Sequence, residues 1–295
     1  MTVPTTPEPG PDIVSVVEAR RRALQRGRRS QTLLFLGVMA LLLAMSGYLG
    51  EVSWQKLVDG LPRFGNYIWR TLPTMSLETL WADLGGWMWG IDRWAGLLFD
   101  TLLIAFVATT LGVVSGFLLS FPAARNLAGG VVGYQLARRF LELMRTVPEL
   151  VFAMLFVFAF GLGAMAGVLA IALHTMGVLG KLFSEINETI TEKSLEGVVA
   201  AGASRDQVIR LGVVPQVMPA FISYTLLRFE INVRSASVIG LVGAGGIGQE
   251  LMFVINQFIY QDISAILVLL IITVALVDIL SERIRHRILD GEQTR

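Results

Sequence analysis

The sequence predicts an all-α, polytopic membrane protein with about six transmembrane helices. Of its 295 residues, 54% are hydrophobic and only 16% are charged, and the mean hydropathy is +0.65. Soluble domains carry about 25% charged residues, so a soluble monomer could not bury this much hydrocarbon. Long uncharged runs alternate with segments rich in arginine, which is typical of a chain that crosses a membrane repeatedly.

The chain begins with a polar tail over 1–31 that contains six closely spaced arginines. They are Arg20, Arg21, Arg22, Arg26, Arg28 and Arg29. The run 32–50 that follows has no charged residue. A cleaved signal peptide has an apolar region of about 7 to 15 residues and an Ala-X-Ala-like cleavage site, and neither fits here. We therefore expect an uncleaved first span over 31–50, with the N-terminus in the cytoplasm.

The remainder of the region 32–94, after this first span, is rich in tryptophan. It contains all six tryptophans of the chain, which are Trp54, Trp69, Trp81, Trp87, Trp89 and Trp94. Indole rings favour the headgroup level of a membrane, so we expect short helices that lie on the outer surface and contact lipid. A group of aromatic rings that stacks on a cofactor is the alternative.

Five further spans are predicted, followed by a C-terminal tail over 283–295. The spans cover 95–121, 137–160, 164–182, 214–241 and 262–282. The tail contains four arginines, so both termini are expected in the cytoplasm and the number of crossings is expected to be even. The uncharged run 150–180 must then form a hairpin, with its turn near Gly161, Gly163 and Gly167.

The distribution of basic residues agrees with this topology. Lys and Arg occur in 122–145 and in 181–214, which the six spans place on the cytoplasmic side. The segment 244–262, which they place outside, contains neither residue.

The fifth predicted span carries charges within a membrane-length run. Each of Arg228, Glu230 and Arg234 would cost about 2.5 to 3.5 kcal/mol near the bilayer centre, so each needs a partner or a pathway. Glu230 and Arg234 are four residues apart and can form an ion pair on one helix face. We expect Arg228 to be unpaired, with Asn232 and Ser235 as nearby donors, so that its guanidinium can bind an oxyanion with two hydrogen bonds. The residues expected at the translocation path or gate are Arg228, Glu230, Asn232, Arg234 and Ser235.

Glycines follow this span in the pattern G-X-G-X-X-G. Gly243, Gly245 and Gly248, with Asp262 further on, resemble a dinucleotide-binding fingerprint. That fingerprint needs a βαβ unit, and membrane spans flank this run instead. We expect Gly243, Gly245 and Gly246 to end the fifth span and to allow close backbone contact at a gate or subunit contact.

The composition excludes several kinds of chemistry. The chain has no cysteine, only two histidines, and a net charge of +1, so it lacks thiol chemistry, a histidine metal cluster and the basic charge typical of nucleic-acid binding. We expect His174 to be a hydrogen-bonded packing residue. Asp100 is expected at a solvated helix end.

The loop after the fourth span is composed largely of small residues. We expect a short helix that closes at Gly202 and a second short helix that begins at Ser204, because Ser204 and Gln207 fit a capping box. Small side chains would let another protein approach closely. An ordinary amphipathic connection remains the alternative.

This loop resembles the coupling loop of ABC importer permeases, whose pattern is EAA-X3-G-X9-I-X-L-P. Glu196, Gly202 and Pro215 match, while Gly197 and Val198 replace the two alanines, Gly212 replaces Ile and Val214 replaces Leu. The sequences RTVPEL from 145, GLGAMAGVLAIALHTMGVLGKLFSE from 161 and SYTLLRFEINVRSASVIGLVGAGGIGQEL from 223 resemble the phosphonate importer permeases. The resemblance covers about 95–285.

The resemblance implies a type I ABC importer permease fold, with a core over 95–282 and a coupling loop over 183–213. It implies an importer of phosphonate or a related phosphorus oxyanion, built as a homodimer with two ATPase subunits and an extracytoplasmic binding protein. The residues implied to contact the ATPase are Glu196, Ala200, Ala201, Gly202, Ser204, Arg205 and Pro215. This chain lacks a G-X-X-X-X-G-K-[ST] motif, so ATP and Mg²⁺ would be bound by the partner and no cofactor by this chain.

Three other functions remain open at this point. One is an ABC permease for a different small solute, and another is a secondary carrier driven by protons. A membrane-embedded enzyme is the third, although the sequence offers no Ser/His pair or metal cluster for it.

Overall fold

A computed structural model describes residues 13–76 and 78–293, with side chains over 28–76, 78–191, 193 and 195–287. Residues 1–12 of the predicted N-terminal tail, residues 294–295, and the side chains of Arg20, Arg21, Arg22 and Arg26 lie outside the described residues. The described part contains twelve α-helices. They are α1 (Ile13–Leu49), α2 (Trp54–Thr71), α3 (Leu80–Trp87), α4 (Ile91–Ala123), α5 (Val131–Thr146), α6 (Glu149–Phe160), α7 (Ala164–Glu188), α8 (Glu192–Ala200), α9 (Arg205–Gln207), α10 (Val214–Ile239), α11 (Ile247–Asn256) and α12 (Tyr260–Gln293). The all-α prediction is confirmed.

The chain divides into two compact units, and the first ends at Ile68. Within it, the C-terminal part of α1, Arg28–Leu49, is long and apolar enough to cross a membrane. The part of α2 in this unit is amphipathic, since Leu57, Leu61 and Phe64 lie on one face and Lys56 and Arg63 on the other. An amphipathic helix of this kind is expected at a membrane surface. The position of α2 at that surface stays a prediction.

The second unit begins at Trp69 and is centred on α4, α7 and α10. Its core contains small and branched apolar side chains, among them Ala105, Ala170 and Ala236. A Cβ atom on Gly112 of α4 would lie 2.6 Å from the side chain of Thr175 in α7. Small residues therefore let these helices pack closely, as is typical of helices that associate within a membrane.

Five helical segments of the described chain are long and apolar enough to span a membrane, or six if α5 and α6 together form one. The segments are Arg28–Leu49, Ile91–Ala123, Ala164–Glu188, Arg205–Val242 and Tyr260–Arg287. Each contains most or all of one predicted span.

The predicted third span over 137–160 is not one continuous helix, and it counts as a sixth span only if α5 and α6 cross the membrane together. The helix breaks after Thr146, and α5 and α6 meet at an angle of 87°. Pro148 explains the break, because proline lacks an N–H and disfavours helical backbone in the residue before it, and Val147 is indeed extended. The 12 residues of α6 reach only about 18 Å, which is less than the hydrocarbon thickness of a bilayer.

The predicted hairpin turn between α6 and α7 is formed by two of the three glycines named for it. Gly161 and Gly163 have φ angles of +89° and +140°, and α7 begins immediately afterwards. Gly167 instead lies inside α7, where a Cβ atom would lie 2.6 Å from the carbonyl oxygen of Ala244. Its small size serves helix packing and not the turn.

The tryptophans do not share one environment, and Trp94 contradicts the prediction for this group. Trp94 is 1% exposed in α4 and packs with Leu98 and Ile266 in an apolar cluster. The indole N–H of Trp87 donates to the Ser264 hydroxyl over 2.9 Å. Trp54, Trp69, Trp81 and Trp89 are exposed.

Candidate functional site

The loop between α7 and α10 has the helix, turn and capping box that its residues predict. After α8, Gly202 adopts a φ of +84°, which is a conformation that glycine reaches without strain. The backbone N–H of Ser204 donates to the side-chain oxygen of Gln207 over 2.8 Å and completes the capping box. All seven residues implied to contact the ATPase are exposed: Glu196, Ala200, Ala201, Gly202, Ser204, Arg205 and Pro215.

The second helix of this loop is not a separate short helix, which corrects the prediction. It consists of α9 and a π-helical turn, Val208–Val213, that leads directly into α10. A Cβ atom on Gly212 would lie 3.0 Å from the Leu195 side chain, so α8 packs against the start of the fifth span. The loop is thus mechanically continuous with the span that carries the charged residues.

Polar contacts connect this loop to the neighbouring ends of α4 and α7. The Arg205 guanidinium donates to the carbonyl oxygen of Leu127, which follows α4. Nearby, the Arg138 guanidinium lies 3.0 Å from a carboxylate oxygen of Glu188, and the same oxygen accepts the Arg125 backbone N–H over 2.8 Å. A movement of the loop would therefore be transmitted to several helices.

Glu230 and Arg234 form an ion pair one helical turn apart in α10. Their environments differ, since the Glu230 side chain is 8% exposed and the Arg234 side chain is 52% exposed. The buried Glu230 carboxylate therefore relies on Arg234 to neutralise its charge, whereas about half of the Arg234 side chain is exposed.

Arg228 has a charged neighbour, which corrects the prediction that it is unpaired. Its Nη2 atom lies 3.8 Å from Oε2 of Glu149, and its Nε atom donates to the Thr175 hydroxyl over 3.4 Å. The Ser235 hydroxyl donates to the other oxygen of Glu149. Sequence reasoning missed Glu149, although this carboxylate directly follows Pro148 and precedes an uncharged run of membrane length.

Asn232 is fully buried and joins three helices. Its amide nitrogen donates to Thr109 of α4 over 2.8 Å and to Thr175 of α7 over 3.0 Å. Both amide hydrogens are used in these contacts. Asn232 therefore stabilises helix packing in the described structure, and its place at the path stays a prediction.

A cavity of about 420 Å³ lies beside the break between α5 and α6. The cavity is open and its lining is largely apolar, with Leu150, Ile231 and Val238 beside Glu149, His174, Arg234 and Ser235. His174 is hydrogen-bonded as expected, with a ring nitrogen 3.1 Å from the carbonyl oxygen of Val147. The Arg234 guanidinium and the Ser235 hydroxyl are donors suited to an oxyanion. The neutral His174 ring, whose N–H faces Val147, and the Glu149 carboxylate offer acceptors instead.

The glycine-rich run after α10 forms a tight turn, as its residues predict. Gly243, Gly245 and Gly246 have φ angles of +88°, +88° and +72°. The carbonyl oxygen of Gly243 accepts the N–H of Gly163 over 2.9 Å, so this turn packs against the turn between α6 and α7. These residues lie in an all-helical region, and no βαβ unit occurs in the described chain.

Comparison with known proteins identifies related membrane components. Residues 112–290 match the family described as "Binding-protein-dependent transport system inner membrane component". The chain is 38% identical over 248 residues to the phosphite transport system permease protein PtxC of Stutzerimonas stutzeri, covering 84% of this chain and 86% of that protein.

A second relative and a solved structure extend this comparison. The phosphate-import permease protein PhnE of Mycolicibacterium smegmatis is 38% identical over 67% of this chain and 37% of its own length. An inward-facing structure of the MetNI methionine ABC transporter superimposes with a TM-score of 0.57 at 20% identity, covering 72% of this chain and 99% of that chain. The solved structure supports the fold alone.

Proposed function

The chain belongs to the binding-protein-dependent transport system inner membrane components, and from this premise we propose that it imports phosphite, phosphonate or a related phosphorus oxyanion. The observation that carries this substrate class is the similarity to a phosphite permease along 84% of the chain. The family assignment confirms the predicted multi-pass permease of the inner membrane, whose ATPase is a separate subunit. Its partners are therefore an ATPase and a binding protein.

In the proposed complex, two copies of this chain form the path and each contacts one ATPase subunit through the loop around Gly202. The exposure of Glu196 and Arg205 and the small residues between them support this contact. ATP and Mg²⁺ are bound by the ATPase, and this chain binds no cofactor.

Transport follows alternating access. ATP binding closes the ATPase dimer and draws the two loops together. Because the loop continues through a π-helical turn into α10, this movement displaces the span that carries Arg228 and Arg234. The path then opens outward to receive the oxyanion from the binding protein, and hydrolysis resets it. Donors at the cavity beside α6 support its place on the path.

Uptake into vesicles tests this proposal. The complete complex with its binding protein is expected to accumulate radiolabelled phosphite or methylphosphonate when ATP is present, and to stop when a non-hydrolysable ATP analogue replaces it. Phosphate is measured in parallel because one relative is a phosphate-import permease. Uptake driven by a proton gradient without ATP would instead identify a secondary carrier, and transport of unrelated solutes alone would refute the substrate class.

The six-span topology predicts which positions an impermeant thiol reagent reaches in intact cells. The chain has no cysteine, so single cysteines can be introduced without background. Trp81→Cys is expected to react from outside, because this exposed side chain precedes the second span. Thr2→Cys and Asp290→Cys should react only after permeabilisation. Labelling of either terminal position in intact cells would contradict the cytoplasmic location of that terminus.

A further inference from the structure

Glu149 and Arg228 are close but do not form a hydrogen-bonded ion pair. Their facing atoms are 3.8 Å apart, and the Arg228 side chain is only 10% exposed. Both Nη2 of Arg228 and Oε2 of Glu149 are buried without a hydrogen-bond partner. A buried charged donor and acceptor that face each other without bonding are costly, so such an arrangement calls for a further partner.

We propose that Glu149 is an exchangeable counterion, which neutralises Arg228 in the empty permease and gives up that place to the transported oxyanion. This inference rests on the proposed function, because it assigns the anion that replaces the carboxylate. It goes further in naming Glu149 as a residue that sets how tightly the oxyanion is held. An ionisable residue at membrane depth is expected to mark an ion or substrate pathway.

The position of Glu149 suits this exchange. Glu149 lines the cavity that also contains His174, Arg234 and Ser235, while its Oε2 atom faces Arg228. Arg228 lies behind this lining and its Nη2 atom is buried, so the proposal requires that rotation of the Glu149 carboxylate uncovers the guanidinium to an anion in the cavity. The Ser235 hydroxyl, which donates to Glu149 in this structure, can then donate to an oxygen of the incoming anion.

The break between α5 and α6 allows the Glu149 side chain to rotate without movement of the helices. Glu149 is the first residue of α6, directly after the extended Val147 and Pro148. The N-terminus of a helix favours negative charge, so the same end of α6 stabilises both the carboxylate and an oxyanion close to it. A side-chain rotation suffices, and the helices need not repack.

Exchange explains how the site can release its substrate. An unpaired guanidinium in a membrane would hold a phosphorus oxyanion tightly and slow its release. A carboxylate that competes for the same guanidinium weakens this retention. The proposal therefore predicts opposite effects of removing the carboxylate charge on anion affinity and on turnover.

Glu149→Gln tests the exchange in the purified complex of permease and ATPase, without binding protein. Titration with phosphite is expected to give about tenfold tighter binding than in the wild type, because the competing charge is gone. Uptake per complex, with binding protein restored, should be slower at saturating phosphite. Arg228→Gln added to Glu149→Gln should abolish the gained affinity. Glu142→Gln, which changes a half-buried carboxylate of similar exposure in α5 that pairs with Arg139 and not with Arg228, is the matched control and should bind as the wild type does.

Three outcomes would overturn the exchange. Unchanged or weaker phosphite binding by Glu149→Gln, tight binding that survives the added Arg228→Gln, or a loss of assembled complex without a change in affinity would each show that Glu149 is not a competing counterion. Wild-type uptake of phosphite is measured in the same preparation. If it is normal while Glu149→Gln fails to bind more tightly, the exchange is refuted and the proposed function stands.

Discussion

Gly202→Leu is expected to abolish transport while the chain still reaches the membrane. Gly202 has a φ of +84°, and an L-residue in a left-handed conformation costs roughly 1 to 2 kcal/mol. No heavy atom lies within 4 Å of an added Cβ atom, so a leucine would project from the loop surface without a clash inside this chain. The loss of function would therefore arise at the contact with the ATPase.

Complex yield, ATP hydrolysis and uptake in vesicles measure this effect. Gly202→Asn is a milder variant, since asparagine tolerates the left-handed conformation better than leucine, and it is expected to retain part of the uptake. Gly85→Leu is the control, because Gly85 is also exposed with open space around it and lies in α3, far along the chain from the loop. Normal ATP-driven uptake by an assembled Gly202→Leu complex would exclude the loop as the coupling contact.

Most membrane-spanning helices could be predicted because a helix buried in lipid requires a long run of uncharged residues, which is visible in the sequence. The spans contained in α4, α7 and α12 follow from uncharged runs of sufficient length bounded by charge. The prediction of the third span rests instead on the even number of crossings that two cytoplasmic termini require, and this requirement joins α5 and α6 into one span. The extended backbone that Pro148 imposes on Val147 turns the chain by 87° there, and only this backbone geometry separates the two helices.

The site was predictable where its contacts are local in the sequence. The Glu230–Arg234 pair follows from helical spacing, and the turn at Gly243 follows from the need for positive φ. The contact between Glu149 and Arg228 joins two helices that are distant in the sequence, and no spacing rule relates them. The burial of Trp94 could not be predicted either, because it depends on packing against α11 and α12, which are distant in the sequence.

The unequal burial of the Glu230–Arg234 pair predicts unequal effects of removing its members. Arg234→Ala leaves the carboxylate of Glu230, 8% exposed, without its counterion. Leaving a buried charge without its partner is destabilising, so less assembled complex is expected than for the wild type. Glu230→Gln should be tolerated better, because the Arg234 side chain is 52% exposed and can turn toward the cavity that it lines.

Arg228→Ala is expected to behave differently from both. It removes a positive charge from the neighbourhood of the path, while Glu149 keeps its hydrogen bond from Ser235 and its access to the cavity. Because Glu149 is 25% exposed and Glu230 only 8%, assembly should suffer less than in Arg234→Ala. Uptake of phosphite at sub-saturating concentration should fall, because attraction for the anion is lost. Arg139→Ala is the control for loss of an arginine whose own side chain is 74% exposed, and a surface ion pair of this kind contributes at most about 1 kcal/mol.

The yield of purified complex and the uptake per complex separate these expectations across the four variants. Low yield for Arg234→Ala, with near-normal yield for Arg228→Ala and Arg139→Ala, would assign a structural role to the pair and a transport role to Arg228. Equal yields for Arg234→Ala and Glu230→Gln would contradict the argument from burial. Wild-type uptake by Arg228→Ala would remove that guanidinium from the path, and Arg234 would then be the arginine at the cavity that is left to attract the anion.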